Sequence, residues 1–156
     1  MTDQNGSAFG WRPIVGEETR GLLDEAVAAR RLQDRESAQA VETEAVSILS
    51  RCVPPIASDT TETGLVVGYV QSGKTMSFTT VAALARDNGY HMVIVITGTS
   101  TPLHQQSTRR LRRDLRLDAH RERRWQLFPD QPRTDMVRAL RDILDDWRVP
   151  SVPSGE

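Results

Sequence analysis

Gly64-Leu65-Val66-Val67-Gly68-Tyr69-Val70-Gln71-Ser72-Gly73-Lys74-Thr75 joins an apolar run to a polar turn bounded by glycines. The run, Gly64 to Val70, shows no alternation of polar and apolar residues, the pattern of a strand covered on both faces in a parallel sheet. Gly68 to Thr75 then satisfies G-x-x-x-x-G-K-[ST] at every fixed position, the phosphate-binding (Walker A) pattern. Gly73 allows a backbone conformation that a side chain would hinder, so that consecutive N–H groups can turn toward phosphates. Lys74 would neutralise β- and γ-phosphates, and the Thr75 hydroxyl would coordinate magnesium. A helix beginning there adds its N-terminal dipole to the same anion. By chance the pattern arises in roughly one chain in 200 of this length. Gln71, Ser72 and Met76 are the expected neighbours of the ligand.

Upstream, residues 1–16 read as an irregular tail with Trp11 as an anchor. Glu17 to about Arg51 is helical: Leu22, Leu23, Ala26, Val27 and Leu32 form one stripe, and Ala38, Val41, Ala45, Ile48 and Leu49 another. One helix broken near Asp34–Ser37, or two helices, satisfies that pattern. Pro54-Pro55 ends it, and Ser58–Thr63 is a polar linker. Downstream, Lys74 to Asn88 predicts a helix with Met76, Thr80, Val81 and Leu84 inward and Gly89 as its stop. His91–Thr97 predicts a second buried strand. A helix capped by Thr101 follows to about Leu117, and Thr134 caps a last amphipathic one. Strand, loop, helix, strand, helix predicts an α/β fold: a partial P-loop (RecA-like) parallel sheet with an N-terminal helical extension. The expected division is a tail and helical extension over 1–60 and an incomplete P-loop domain over 61–156.

A net charge of -1 announces no global attraction to nucleic acid or membrane. The apolar runs are too short to cross a bilayer, and the N-terminus lacks the basic and apolar regions of a signal peptide. Cys52 stands alone, and His91, His104 and His120 show no metal-ligand spacing. A cytoplasmic location is the expectation. Of the 20 basic residues, 19 are arginine and Lys74 is the one lysine. A compact ammonium on a flexible stem fits between phosphates where a planar guanidinium does not, so lysine stands where the two are not interchangeable.

After the second expected strand, Thr99 and Ser100 lie at the ligand-binding edge of a parallel sheet, before a helix start at Thr101-Pro102. Eight arginines fall between Arg109 and Arg124. Leu103, Ser107, Leu111 and Leu115 recur every four residues and would face a core, which leaves Arg109, Arg112, Arg113 and Arg116 outward. Such a face can hold a phosphate backbone through counterion release, although charge runs commonly are solvated surface.

Cys52-Val53-Pro54-Pro55, then Thr63 through Thr75, then Val93-Ile94-Val95-Ile96-Thr97-Gly98-Thr99-Ser100, resembles the start of the bacterial endonucleases called Z-one-domain proteins. These carry a superfamily-two, DEAD-like helicase core. Leu103 with Gln106 is similar to the L-x-x-Q of helicase motif Ia, a strand-contacting element; Thr99-Ser100 departs from the usual Pro-Thr. The resemblance, over roughly residues 11–148, implies an ATP-dependent helicase-like endonuclease acting on DNA. Lys74 and Thr75 would be catalytic, and Gly68, Gln71, Ser72, Gly73, Lys74, Thr75 and Met76 would hold ATP, with magnesium on Thr75. Thr99, Ser100, Gln106, Arg109 and Arg113 would contact nucleic acid.

Hydrolysis in such a core needs an acidic box at a strand end. Asp145 and Asp146 keep helical spacing with Leu140 and Trp147, the pattern of an exposed helix end. No second lobe and no nuclease cluster of carboxylates is present either. The resemblance implies that these follow beyond Glu156, in this chain's continuation or in a protein partner that completes the motor. The alternatives are a non-hydrolysing nucleotide-binding module and a small-molecule kinase, with Arg121, Arg123 and Arg124 imitating a lid.

Overall fold

The structure, a computed structural model, describes residues 11–56, 61–67, 74–95, 101–117 and 138, with the helical backbone alone at 74, 101, 103 and 104. Its elements are four helices: α1 (Glu17–Ala28), α2 (Arg35–Leu49), α3 (Lys74–Asp87) and α4 (Thr101–Asp114). The chain divides into two compact units, Met1–Ala119 and His120–Glu156; Arg138, the described residue of the second, is helical and exposed.

The expected parallel sheet is contradicted: among the described residues there is no strand. Residues 64–67 and 91–95, the described parts of the two expected strands, have no ladder partner. Leu65, Val67 and Ile94 are 88%, 84% and 77% exposed. A doubly covered strand is held by ladder hydrogen bonds and by apolar burial on two faces, and neither is realised here. Periodicity cannot reveal this, because a short apolar run looks the same whether or not a neighbour pairs with it. The expected final helix from Thr134 lies outside the described residues, apart from Arg138.

The core is helical instead, and α3 is its centre. Thr79, Thr80, Ala82, Ala83, Leu84 and Ala85 are buried and Val81 between them is partly buried, so α3 is covered nearly all round. Small side chains let α1 and α2 both approach it. Leu22, Leu23, Ala38 and Ala83 form one cluster, and Ala45, Leu49, Leu84 and Ala85 the other. The hydroxyls of Thr79 and Thr80 donate back to the carbonyls of Thr75 (2.6 Å) and Met76 (2.8 Å), which satisfies them inside the core.

The turn between α1 and α2 contains Arg30 in the left-handed region (φ 55°), and the Asp34 side chain accepts from Ser37 N–H at 2.8 Å to start α2. That contact holds the Asp34 carboxyl below its ordinary value of 3.8. The N-terminus of α1 has no cap of its own. Asp87, at the far end of α3, supplies it: its carboxylate accepts N–H bonds from Gly16 (3.0 Å), Glu18 (3.1 Å) and Thr19 (3.0 Å). A Cβ at position 16 would lie 2.5 Å from the Asp87 carboxylate, so glycine is there for the close approach. An acid at the end of α3 opposes that helix's own dipole, and its gain comes from serving α1.

Gly89 (φ 84°) ends α3, with Gly89 N–H on Arg86 and Tyr90 N–H on Ala85. Tyr90 then packs on Trp11 with ring centroids 6.4 Å apart. The Tyr90 hydroxyl donates to the Val53 carbonyl and Trp11 Nε1 to the Cys52 carbonyl (2.9 Å), so both aromatics fasten the Pro54-Pro55 segment. Burial pushes the Cys52 thiol up.

Candidate functional site

The phosphate-binding motif ends where α3 begins, Lys74 being the first residue of the helix and Thr75 the second. Gly68, Gln71, Ser72 and Gly73 lie outside the described residues, as do Thr99 and Ser100. Of Lys74, the position at the start of α3 is described. Thr75 is half-buried, and its backbone carbonyl accepts the Thr79 hydroxyl. Met76, expected beside the ligand, packs against the cluster of Leu22, Leu23, Ala38 and Ala83.

The first turns of α1 and α2 carry Glu17, Glu18 and Glu36, whereas the first turn of α3 carries no acidic residue. Ser77 in that turn donates its hydroxyl to Glu44 of α2 at 3.0 Å. On the other side, Arg110 of α4 brings its Nη1 to 3.5 Å from the Thr75 Oγ1. A hydroxyl beside a guanidinium at the start of a helix is a setting for an anion. Of the donors expected to hold phosphates, the described residues show the Thr75 hydroxyl, with the Arg110 guanidinium beside it. Among the described residues no group of three or more His, Cys, Asp or Glu could hold a metal ion. Magnesium here would be held by the Thr75 hydroxyl together with phosphate oxygens, the usual manner for an ion that keeps few protein ligands.

The nucleic-acid candidates share one element. Gln106 and Arg109 are exposed on α4, and with Pro102, Gln105, Arg110 and Arg113 they line an open cavity of about 550 Å³. These positions recur at three- and four-residue intervals, so they form one stripe of the helix. Arg113 Nε donates to Asp114 at 2.7 Å, and that bond raises the Arg113 pKa further. Arg116, expected outward with Arg109, turns inward instead: its side chain is 21% exposed and lies 3.8 Å from Glu25 of α1. Leu115 packs against the first core cluster, as its spacing requires.

Two residues escaped the sequence reading. Asp114 is buried at 2% exposure and takes hydrogen bonds from both Arg31 and Arg113. Arg110 reaches the motif threonine. The signal for Asp114 was a single acid at the end of an arginine-rich helix, a pairing candidate that local spacing alone leaves ambiguous. For Arg110 it was membership of the stripe shared with Gln106 and Arg113. No helix among the described residues is long and apolar enough to cross a membrane. No protein-family model, curated protein or solved structure matches the chain.

Proposed function

We propose that the chain binds ATP with magnesium through Gly68–Thr75, in the cytoplasm, as the nucleotide-binding N-terminal portion of an ATP-dependent, helicase-like endonuclease acting on DNA. The observation that carries the nucleotide reading is the motif itself, complete at every fixed position and running into the first turn of α3. Lys74 and Thr75 hold the phosphates and the ion, while Gly68, Gln71, Ser72 and Gly73 shape the loop. The DNA reading rests on the resemblance and on the stripe of Gln106, Arg109 and Arg113 on α4. Lys74→Ala should abolish magnesium-dependent ATP binding measured by calorimetry, with far-UV circular dichroism unchanged. Binding that survives the substitution would sink the reading.

A second reading, a module that binds nucleotide without turning it over, is favoured by the helical spacing of Asp145 and Asp146 where an acidic box would be needed. Magnesium-dependent phosphate release by the purified chain, lost in Lys74→Ala, would overturn it.

A further inference from the structure

We propose that α4 holds nucleic acid by its phosphates alone, through Arg109, Arg110 and Arg113, without reading or stacking bases. This rests on the reading of α4 as a nucleic-acid surface and not on nucleotide binding. The first observation is where the acid of α4 goes. Asp114 is the one acidic residue of the helix, and it is buried against Arg31 rather than set among the arginines of the stripe. Arg109, Arg110 and Arg113 are all exposed. Among the described residues Arg109 and Arg110 make no ion pair, and Arg110 meets only the neutral Thr75 hydroxyl at 3.5 Å. Arg113 is shared rather than consumed. Asp114 also accepts from Arg31, so Arg113 can turn to a phosphate while the buried carboxylate keeps a partner.

The second observation is what the stripe lacks. Pro102, Gln105, Gln106, Arg109, Arg110 and Arg113 line its cavity, and none is aromatic. Surfaces that favour single strands stack bases on aromatic rings. With no ring, attraction to phosphates and counterion release remain, and both are stronger on a duplex because its charge is denser. Gln105 and Gln106 can donate their amides to the same phosphate oxygens. The apolar side of α4 is committed at Leu115 to the first core cluster, whereas a helix that lies in a membrane surface needs that side free.

The test is fluorescence anisotropy of the 156-residue chain with labelled oligo-dT, oligo-dA, single-stranded RNA and duplex DNA, over a series of salt concentrations. We expect the three single strands to bind alike and the duplex at least as tightly. Each of Arg109→Ala, Arg110→Ala and Arg113→Ala should weaken every oligonucleotide by a similar factor. Each should also reduce the slope of log affinity against log salt by about 0.7 on single strands and about 0.9 on the duplex. Unchanged urea midpoints for Arg109→Ala and Arg110→Ala accompany that result, because both side chains are exposed. A preference for oligo-dA, the mark of a glutamine reading adenine, overturns the proposal, as does a preference for single strands over the duplex. Salt slopes unmoved by the three substitutions overturn it too, and each of these outcomes leaves nucleic-acid binding itself standing. A wild type that binds no oligonucleotide, or that binds phosphatidylserine vesicles more tightly than any of them, overturns both.

Discussion

Arg31, in the turn after α1, donates a hydrogen bond from its guanidinium to the buried carboxylate of Asp114, 83 residues further along the chain. The same guanidinium lies 3.6 Å from Glu25, and Arg116 reaches Glu25 from the other side. Two acids and two arginines thus fasten the end of α4 to α1, and the position of Arg110 beside Thr75 depends on that attachment.

Asp114→Asn should lower stability by about 2 kcal/mol. Removing one partner of a buried ion pair takes away most of the other charge's compensation, of which Glu25 at 3.6 Å from Arg31 keeps a part. Arg31 keeps 18% exposure, so solvent moderates the loss below the full range for such pairs. A reduced urea midpoint at unchanged slope is the expected result. A midpoint equal to that of the wild type would mean that the pair contributes nothing net.

Gly89→Ala should cost about 1 kcal/mol, entirely from backbone conformation. A Cβ there meets nothing within 4 Å, so no clash contributes, but the φ of 84° is one that L side chains rarely adopt. Gly64→Ala is the control, since open space surrounds that position too and no positive φ is required. Thermal unfolding of the two variants separates them: a lower Tm for Gly89→Ala and none for Gly64→Ala.

The Tyr90 phenol is pushed up to about 12, first by burial and then by the neighbouring Cys52. A group whose folded pKa is raised contributes stability that is complete below its unfolded value of about 10 and is lost as pH rises through the folded one. Stability should therefore decline between about pH 10 and 12, and Tyr90→Phe should flatten that decline. Denaturant midpoints at pH 9 and pH 11.5 for both proteins provide the check; parallel declines would exclude Tyr90 as the cause.

The buried stripes of α1 and α2 were legible in the sequence. The stripes of Leu22, Leu23 and Ala26, and of Ala38, Ala45 and Leu49, are the ones buried. The break near Asp34 is a capped helix start, and Gly89 is the stop of α3. These are local matters of 3.6-residue periodicity, capping and positive φ, and neighbouring residues are enough to express them. The apolar runs at 64–67 and 91–95 misled because a strand exists through its partners, and composition carries no information about whether a partner arrives. Asp87 reads as a helix-end acid until α1 is seen to place three amides on it.

The start of α3 at Lys74 and its stop at Gly89 follow from local sequence, since helix ends answer to requirements met within a few bonds. That Arg110 faces Thr75, that Arg116 turns inward and that Asp114 is buried all depend on how α4 packs. Side chains 35 and 83 residues apart meet because Leu115 seats on the first core cluster and Asp114 pairs with Arg31, and no local pattern encodes that meeting.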